Sequence, residues 1–167
     1  MPSIPQRTLW PGYALATLVL AADQASKAAI LALFSPGEGR GLASFLDLVL
    51  VYNRGAAFSF LASSGGWQRW LFTVLALAVS VWIAAALRRP ELPRLEAGAL
   101  SLVMGGALGN VVDRLRFGAV VDFIDFHFAG WHFPAFNVAD SAISLGVALL
   151  VLHQFKESGH GRTSAIR

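Results

Sequence analysis

The sequence contains no cysteine, and that absence excludes several kinds of function. Without a thiol the chain has no disulfide, no thiolate nucleophile, no thiolate metal site and no cysteine of its own to accept a lipid. Charged residues are also scarce, at 14% of 167 residues, whereas 56% are hydrophobic. This apolar surface exceeds what a soluble domain with one core buries, so we expect much of it to face lipid.

Positive charge is modest and scattered along the chain. The formal net charge is +3, but the basic residues flank apolar blocks and form no continuous stripe. A nucleic-acid partner is therefore not expected, because such partners require a clustered basic surface. Basic residues that flank apolar blocks are better explained by orientation in a bilayer.

Four apolar segments approach the roughly 20 residues that are needed to cross the hydrocarbon core of a bilayer. They cover approximately residues 13–34, 70–87, 97–112 and 138–155. Arg7 precedes the first segment as in a secretory signal, but the apolar run continues past Asp23 and Lys27. We therefore interpret it as an uncleaved anchor. The sequence predicts an all-α polytopic membrane protein with four transmembrane helices in a single membrane domain.

The short loop of residues 88–94 is basic and is expected to stay in the cytoplasm under the positive-inside rule. With four spans, Arg7 at one end and Lys156, Arg162 and Arg167 at the other fall on the same side. Both termini are thus predicted to be cytoplasmic. Residues 35–69 and 113–137 then face outward.

The two outward segments are rich in residues that favour strands and turns. Residues 48–52 form a β-prone run that ends at Asn53, and residues 58–60 resume it, which predicts a small β-cradle over about residues 42–62. Polar and apolar residues alternate in the second segment before a turn at Ala129 and Gly130, which predicts an amphipathic flap over about residues 119–134. Tryptophans at positions 10, 67, 70 and 131 suit the membrane interface.

Several ionisable and amide side chains fall at or near membrane depth, where their cost makes a functional role the default hypothesis. They are Asp23, Lys27, Asn110, Asp113, Arg114, Asp122, Asn137 and Asp140. Asp23 and Lys27 lie one helical turn apart and are placed to neutralise each other. Asp113 and Arg114 are expected to form an ion pair at the end of the third helix. Small residues at 98, 101, 105 and 109 predict close helix contact there.

Two aspartates are the best candidates for a catalytic pair. Asp140 lies three residues after Asn137 on one face of the fourth span, and Asp122 lies among apolar residues that would raise its pKa if it is buried. Two such carboxylates can share one proton, so that one activates water while the other stabilises the oxyanion. Asp47 and Asp125 lack polar neighbours and are expected to be surface groups.

Three other kinds of function use some of the same residues. A transporter or proton channel would place Asp23, Lys27 and Asp140 in membrane helices, although inverted repeats are not apparent. A serine–lysine peptidase would pair Lys27 with Ser59 or Ser141. A metal site would use Asp122, His127 and His132, although their spacing matches no familiar ligand motif.

The same polar residues fall within motifs that cover nearly the whole chain. Through these motifs the sequence resembles the signal peptidase II family of bacterial inner-membrane aspartic peptidases. The motifs are Asp-Gln-Ala-Ser-Lys at 23–27, Asn-Arg-Gly-Ala-Ala-Phe at 53–58, Gly-Gly-Ala-Leu-Gly-Asn-Val-Val-Asp-Arg at 105–114, Val-Val-Asp-Phe at 120–123 and Phe-Asn-Val-Ala-Asp-Ser at 136–141.

The resemblance implies that Asp122 and Asp140 are catalytic. It implies supporting roles at the site for a second set of residues, namely Asp23, Lys27, Asn53, Gly55, Asn110, Asp113, Arg114 and Asn137. It further implies a four-helix bundle with an extracytoplasmic β-cradle and a mobile flap. The substrates would be diacylglyceryl-modified prolipoproteins, cut just before the lipidated cysteine by a monomer in contact with membrane lipids, with no metal and no other cofactor.

Overall fold

The computed structural model describes residues 10–55 and 65–164, and four helices account for most of them. The helices are α1 (Trp10–Leu33), α2 (Trp67–Ala86), α3 (Arg94–Phe117) and α4 (Val138–Ser164). In the described residues each helix contains a stretch that is long and apolar enough to cross a membrane. The predicted four-helix architecture is confirmed.

The third helix is longer than the sequence indicates. We expect it to end near residue 112, where charged residues begin, but α3 continues to Phe117. Gly118 then ends it with a left-handed φ of 74°, and the Gly118 N–H donates to the Arg114 carbonyl oxygen. Asp113 and Arg114 are therefore helical, and the helix fixes the directions of their side chains.

A small antiparallel sheet, in the order β1-β2-β3-β4, completes the described part of the fold. Its strands are β1 (Gly39–Ala43), β2 (Leu46–Asn53), β3 (Val120–Phe128) and β4 (Trp131–His132). Val51 pairs with Asp122 across β2 and β3, and a bulge interrupts the ladder between residues 48 and 51. The antiparallel sheet confirms that the two segments predicted to face outward contain strands, whereas the strand expected at 58–60 lies outside the described residues.

The β3–β4 hairpin turns at the predicted position. Ala129 and Gly130 adopt φ values of 48° and 82°, as the two central residues of a tight type I′ turn require. After the turn the chain runs back beside β3, where the Phe136 N–H donates to the Ile124 carbonyl oxygen over 3.1 Å. This pairing brings residues 133–136 alongside Asp122 just before α4 begins.

Glycines on α3 bring it close to its neighbours. A Cβ at Gly105 would lie 2.5 Å from the Ala16 carbonyl oxygen of α1, and one at Gly106 would collide with the Ala139 carbonyl oxygen of α4. Gly98, by contrast, has nothing within 4 Å of its virtual Cβ, so it takes no part in the predicted small-residue contact. The glycines of α3 that allow close approach thus lie in the half that leads to the polar residues, while in the other half Gly146 of α4 approaches the Ala99 carbonyl oxygen.

Two buried apolar clusters hold the elements together. One joins α1, α2 and α3 around Ala16, Ile83 and Met104, and the other joins the end of α1 to the sheet through Phe34 and Val121. Many large apolar side chains are instead exposed along the helices, including Leu18, Val74, Val81, Trp82, Leu145 and Leu152. Such surfaces are stable when they face lipid.

Candidate active site

Asp122 occupies the middle of the site. It projects from β3 and is 2% exposed. Asn53, the last residue of β2, donates its side-chain amide to Asp122 Oδ2 over 3.1 Å. Asn137 donates to Asp122 Oδ1 over 2.7 Å. Each carboxylate oxygen of a buried aspartate therefore has a neutral donor, which limits the cost of burying the group.

Asp140 is held at the start of α4. Asn137 precedes the helix, and its Oδ1 accepts a 2.8 Å hydrogen bond from the Asp140 N–H, as in a typical N-cap. The Asn110 side-chain amide on α3 donates to Asp140 Oδ1 over 2.8 Å. Asn110 and Asn137 thus orient Asp140 through its carboxylate and its backbone, respectively.

The environment of Asp122 changes its acidity. The pKa of Asp122 is raised from 3.8 to about 7, chiefly by burial and also by the negative charge of Asp140, against the opposing hydrogen bonds from Asn53 and Asn137. A carboxyl with this pKa is protonated about half of the time near neutral pH. Asp122 is therefore suited to exchange a proton during a reaction at that pH.

A cavity of about 730 Å³ opens beside both aspartates, bounded by α2, α3, α4 and the segment of residues 133–136. Its wall is mainly apolar, with Phe72 and Leu75 among the lining side chains. The ionisable side chains in the wall are Arg114, Asp122 and Asp140. A concave apolar site with a few convergent polar groups is typical of a binding site for an apolar substrate.

Lys27 organises a buried network behind the cavity. Its ammonium contacts Asp23 Oδ2 at 2.8 Å, Asp113 Oδ2 at 2.6 Å and Asn110 Oδ1 at 3.0 Å. Three acceptors match the three protons of an ammonium group, so the buried charge is fully satisfied. The predicted Asp23–Lys27 pair is confirmed, and Asp113 joins it from α3.

The two acids of this network also hold the backbone next to each candidate catalytic residue. Asp113 Oδ2 accepts the Val121 N–H over 3.1 Å, directly before Asp122. Asp23 Oδ1 accepts the Ala139 N–H over 2.9 Å, directly before Asp140. The network therefore positions β3 and the start of α4 relative to each other.

The expected Asp113–Arg114 ion pair is wrong. Asp113 binds Lys27, whereas Arg114 points into the cavity, donates to the Gly55 carbonyl oxygen over 3.4 Å and stacks on Phe72 at 5.4 Å. Consecutive residues on a helix point about 100° apart, so neighbours in sequence do not face each other. Asp113 consequently belongs to the buried Lys27 network, whereas Arg114 lines the cavity.

Asp47 and Asp125 do have polar partners, contrary to expectation. Asp47 lies 3.1 Å from His127 Nε2, and Asp125 lies 2.8 Å from His132 Nδ1. Both pairs are on the sheet, away from Asp122, so the metal site of Asp122, His127 and His132 does not assemble. Across the side chains of residues 11–55 and 65–156, no three of the metal-binding types His, Asp and Glu come together at one point.

The serine–lysine alternative is not supported by the geometry. The Lys27 ammonium is bound to Asp23, Asp113 and Asn110, while the Ser141 hydroxyl donates to the Asn137 carbonyl oxygen over 2.9 Å. A lysine that activates serine must instead contact its hydroxyl. Ser59 lies outside the described residues.

Gln24 is a part of the site that its sequence position alone did not single out. Its side-chain amide contacts Asp113 Oδ1 at 3.0 Å and the Gly109 carbonyl oxygen at 3.1 Å. The signal was available, because an amide at membrane depth next to Asp23 is itself costly to bury.

Comparisons with known proteins agree with this geometry. The family profile described as "Signal peptidase (SPase) II" matches residues 15–156. A protein named lipoprotein signal peptidase from Paraburkholderia phymatum is 52% identical to this chain, and the match covers 89% of this chain and 90% of that protein. A protein of the same name from Burkholderia ambifaria is 53% identical, and the match covers 89% of each chain. A bacterial membrane enzyme solved by the in meso method at 2.3 Å resolution superposes with a TM-score of 0.79 at 29% identity, covering 90% of each chain. The chain belongs to the signal peptidase II family of peptidases, which remove signal peptides from prolipoproteins.

Proposed function

We propose that Asp122 and Asp140 are the catalytic pair of an intramembrane aspartic peptidase that cleaves diacylglyceryl-modified prolipoproteins just before the lipidated cysteine. One observation carries the proposal most directly. Asn137 binds both aspartates, through Asp122 Oδ1 and the Asp140 N–H, at the wall of a mainly apolar cavity of about 730 Å³. A water-activating pair beside an apolar binding space is what hydrolysis of a lipidated peptide requires.

The two carboxyl groups have complementary tasks. Asp122, with its pKa raised to about 7, supplies the proton that the pair shares, and it hydrogen-bonds to the scissile carbonyl oxygen. Asp140 as a carboxylate removes a proton from water, and the water oxygen bonds to the carbonyl carbon. The C–N bond of the tetrahedral intermediate then breaks, and the leaving nitrogen takes the proton that Asp140 acquired.

The neutral asparagines keep this pair in its reactive arrangement without adding charge. Asn53 and Asn137 donate to Asp122, and Asn110 donates to Asp140. Arg114 lies at the same cavity wall and holds the Gly55 carbonyl oxygen, which fixes the end of the β2 segment near the pair. Preorganised donors of this kind reduce the reorganisation needed in the transition state.

The position of the pair suits a substrate anchored in lipid. Asp140 lies in the first turn of α4 and Arg114 in the last turn of α3, so the site is at one end of the bundle. The basic residues 88–94 lie at the opposite end, where α3 begins. With that loop and both termini in the cytoplasm, the site is near the outer face of the cytoplasmic membrane.

The remaining parts of the proposal follow from the same arrangement. The cradle of β1 and β2 and the flap of β3 and β4 lie next to the pair, where they can hold an extended peptide by edge pairing. We also propose activity as a monomer, because the aspartates and the asparagines that bind them need no group from a second chain. The chemistry described uses only carboxyl groups and water, without a metal or other cofactor.

The test compares a diacylglyceryl-modified prolipoprotein with its unmodified twin. Purified wild-type protein is incubated with each, and the released peptides are identified by mass. We expect cleavage of the modified form alone, with the new N-terminus at the lipidated cysteine. Equal cleavage of both forms, or a cut elsewhere, would contradict the proposed substrate.

A further inference from the structure

A second, smaller cavity adjoins Asp122. It measures about 230 Å³, and Val51, Tyr52 and Arg54 at the end of β2 form one wall. Asn53, Asp122, Pro134 and Ala135 line both this cavity and the larger one. The two spaces therefore meet at Asp122. A peptide whose scissile bond lies at Asp122 extends into both.

The two cavities differ in their walls. The large cavity is bounded by helices that present apolar side chains such as Phe72, Leu75 and Val79. Among the described residues, those that line the small cavity lie outside the helices, and they include the exposed side chains of Tyr52 and Arg54. Burial of apolar parts of a substrate is therefore more favourable in the large cavity. Polar parts of a substrate lose less hydration free energy in the small cavity.

These differences give the peptide a direction. The signal segment and the acyl chains are apolar and belong on the lipid side, in the large cavity. The chain that follows the lipidated cysteine becomes the water-exposed protein. It therefore leaves through the small cavity, between the end of β2 and residues 134–135.

Arg54 carries the charge at this exit. Its side chain is exposed, and in the part of the chain that the structure describes no carboxylate forms a salt bridge with it. A guanidinium without a fixed partner attracts a carboxylate and repels an ammonium that enters the same space. Arg54 is thus placed to interact with a charged side chain of the substrate in the small cavity.

We infer that the small cavity binds the residue that follows the lipidated cysteine, and that Arg54 makes the enzyme prefer an acidic residue there over a basic one. This inference rests on the proposed function. Arg54 is a specificity-determining residue and takes no part in the bond-breaking step. Because the contact is exposed, we expect kcat/KM to differ by about threefold to tenfold between Asp and Lys at that position.

The experiment uses three lipidated peptides that differ only in the residue after the cysteine, which is Asp, Ser or Lys. Wild-type enzyme should cleave them with kcat/KM in the order Asp, Ser, Lys. Arg54→Gln should make the three nearly equal, and Arg54→Glu should reverse the order. The wild-type preference should also weaken at high salt, since exposed charges are screened.

Arg40→Gln is the matched control. Arg40 is an exposed arginine on β1 that stacks on Phe34 and lines neither cavity. Its removal takes the same charge from the same sheet, so the order of the three peptides should stay as in the wild type. A preference lost equally in Arg40→Gln would show a general effect of net charge and would overturn the role of Arg54.

The outcomes separate this inference from the proposed function. If wild-type enzyme cleaves all three peptides equally, or if Arg54→Gln keeps the wild-type order, the inference is wrong while the proposed function stands. If wild-type enzyme cleaves none of them, the proposed function itself fails. If both Arg54 variants lose cleavage of the Ser peptide while remaining folded by thermal melting, Arg54 acts on turnover in general, which also overturns the inference.

Discussion

Asn137 donates a 2.7 Å hydrogen bond from its side-chain amide to Asp122, across a separation of 15 residues in the chain. The other end of the same amide accepts the Asp140 N–H over 2.8 Å. One neutral side chain therefore sets the position of a strand carboxyl against a helix carboxyl. Asn137 acts together with Asp113 and Asp23, which accept the N–H groups of Val121 and Ala139 directly before the two aspartates.

Asp122→Asn and Asp140→Asn should each abolish cleavage. Asparagine keeps the shape and can hydrogen-bond, but it neither takes a proton from water nor shares one with its partner. Loss of acid or base function alone slows a reaction by roughly 10²- to 10⁴-fold, and a pair that acts as one unit loses more. The double variant should therefore be no slower than the single variants. Turnover of a lipidated prolipoprotein measures the effect.

Asp125→Asn is the matched control for these variants. Asp125 lies on the same strand as Asp122 but contacts His132, outside the wall of either cavity. It should retain turnover within a few-fold of the wild type. Asp113→Asn is less suitable, since Asp113 holds Lys27 and the Val121 N–H. Near wild-type turnover in folded Asp122→Asn would remove Asp122 from the pair.

The raised pKa of Asp122 predicts how stability depends on pH. The pKa of Asp122 is about 7 in the folded protein, whereas the same carboxyl in the unfolded chain has a pKa near 3.8. Folding is therefore opposed increasingly as pH rises from about 4 to about 7, because the folded state must take up a proton that the unfolded chain has already released. Asp122→Asn should remove this loss of folding stability with rising pH, because asparagine does not titrate. In detergent, the melting temperature of Asp122→Asn should rise relative to that of the wild type as the pH increases from 4.5 to 8.

The pH dependence of activity should reflect the protonation of Asp122. When the pair loses its shared proton above pH 7, kcat/KM should fall on the alkaline side of the profile. The hydrogen bond from Asn53 lowers the pKa of Asp122, so Asn53→Ala should move that alkaline limb to higher pH as well as slowing turnover. A limb that does not move in Asn53→Ala would show that another group controls it.

The helices and strand β2 were predictable because each is encoded locally, whereas β1 (Gly39–Ala43) lies mostly before the start of the predicted cradle. Apolar runs of membrane length specify the four helices, and the β-prone run at 48–52 lies within β2. Asp122 and Asp140 also stood out locally, one by its apolar neighbours and the other by its place at a helix start. Their proximity was beyond local patterns, because it depends on how β3 and α4 pack.

The partners of the buried charges were harder to predict for the same reason. Asp113 was assigned to its neighbour Arg114, but the contact with Lys27 forms only because α1 and α3 approach closely at Gly105 and Gly109. Likewise Asp47 and Asp125 meet their histidines through the register of the sheet. Such long-range pairings follow from packing, and spacing along the chain does not reveal them.

Membrane orientation is tested by cysteine labelling, which the absence of native cysteine makes simple. Cysteines at positions 91 and 160 should be protected from an impermeant thiol reagent in intact cells, while one at position 64 should react. Glu91 lies in the basic loop between α2 and α3, which the positive-inside rule assigns to the cytoplasm. Labelling at position 91 in intact cells would reverse the proposed orientation.

Replacing Lys27 should destabilise the protein strongly. Lys27→Met would leave Asp23 and Asp113 buried without their counter-ion, and breaking a buried charge network in this way costs about 3–5 kcal/mol. Asp23→Ala should also lower stability, together with activity, because it frees the Ala139 N–H at the start of α4. Thermal melting in detergent, measured alongside turnover, tests both variants.

A triple variant separates support from chemistry at this network. Asp23→Asn, Lys27→Met and Asp113→Asn together remove all three charges, so no charge remains unpaired and the amides can still accept the Ala139 and Val121 N–H groups. We expect it to melt at a higher temperature than Lys27→Met alone and to recover part of the lost turnover. If it is as stable as the wild type yet inactive, the charges of the network act in the reaction itself, and their assignment as support is wrong.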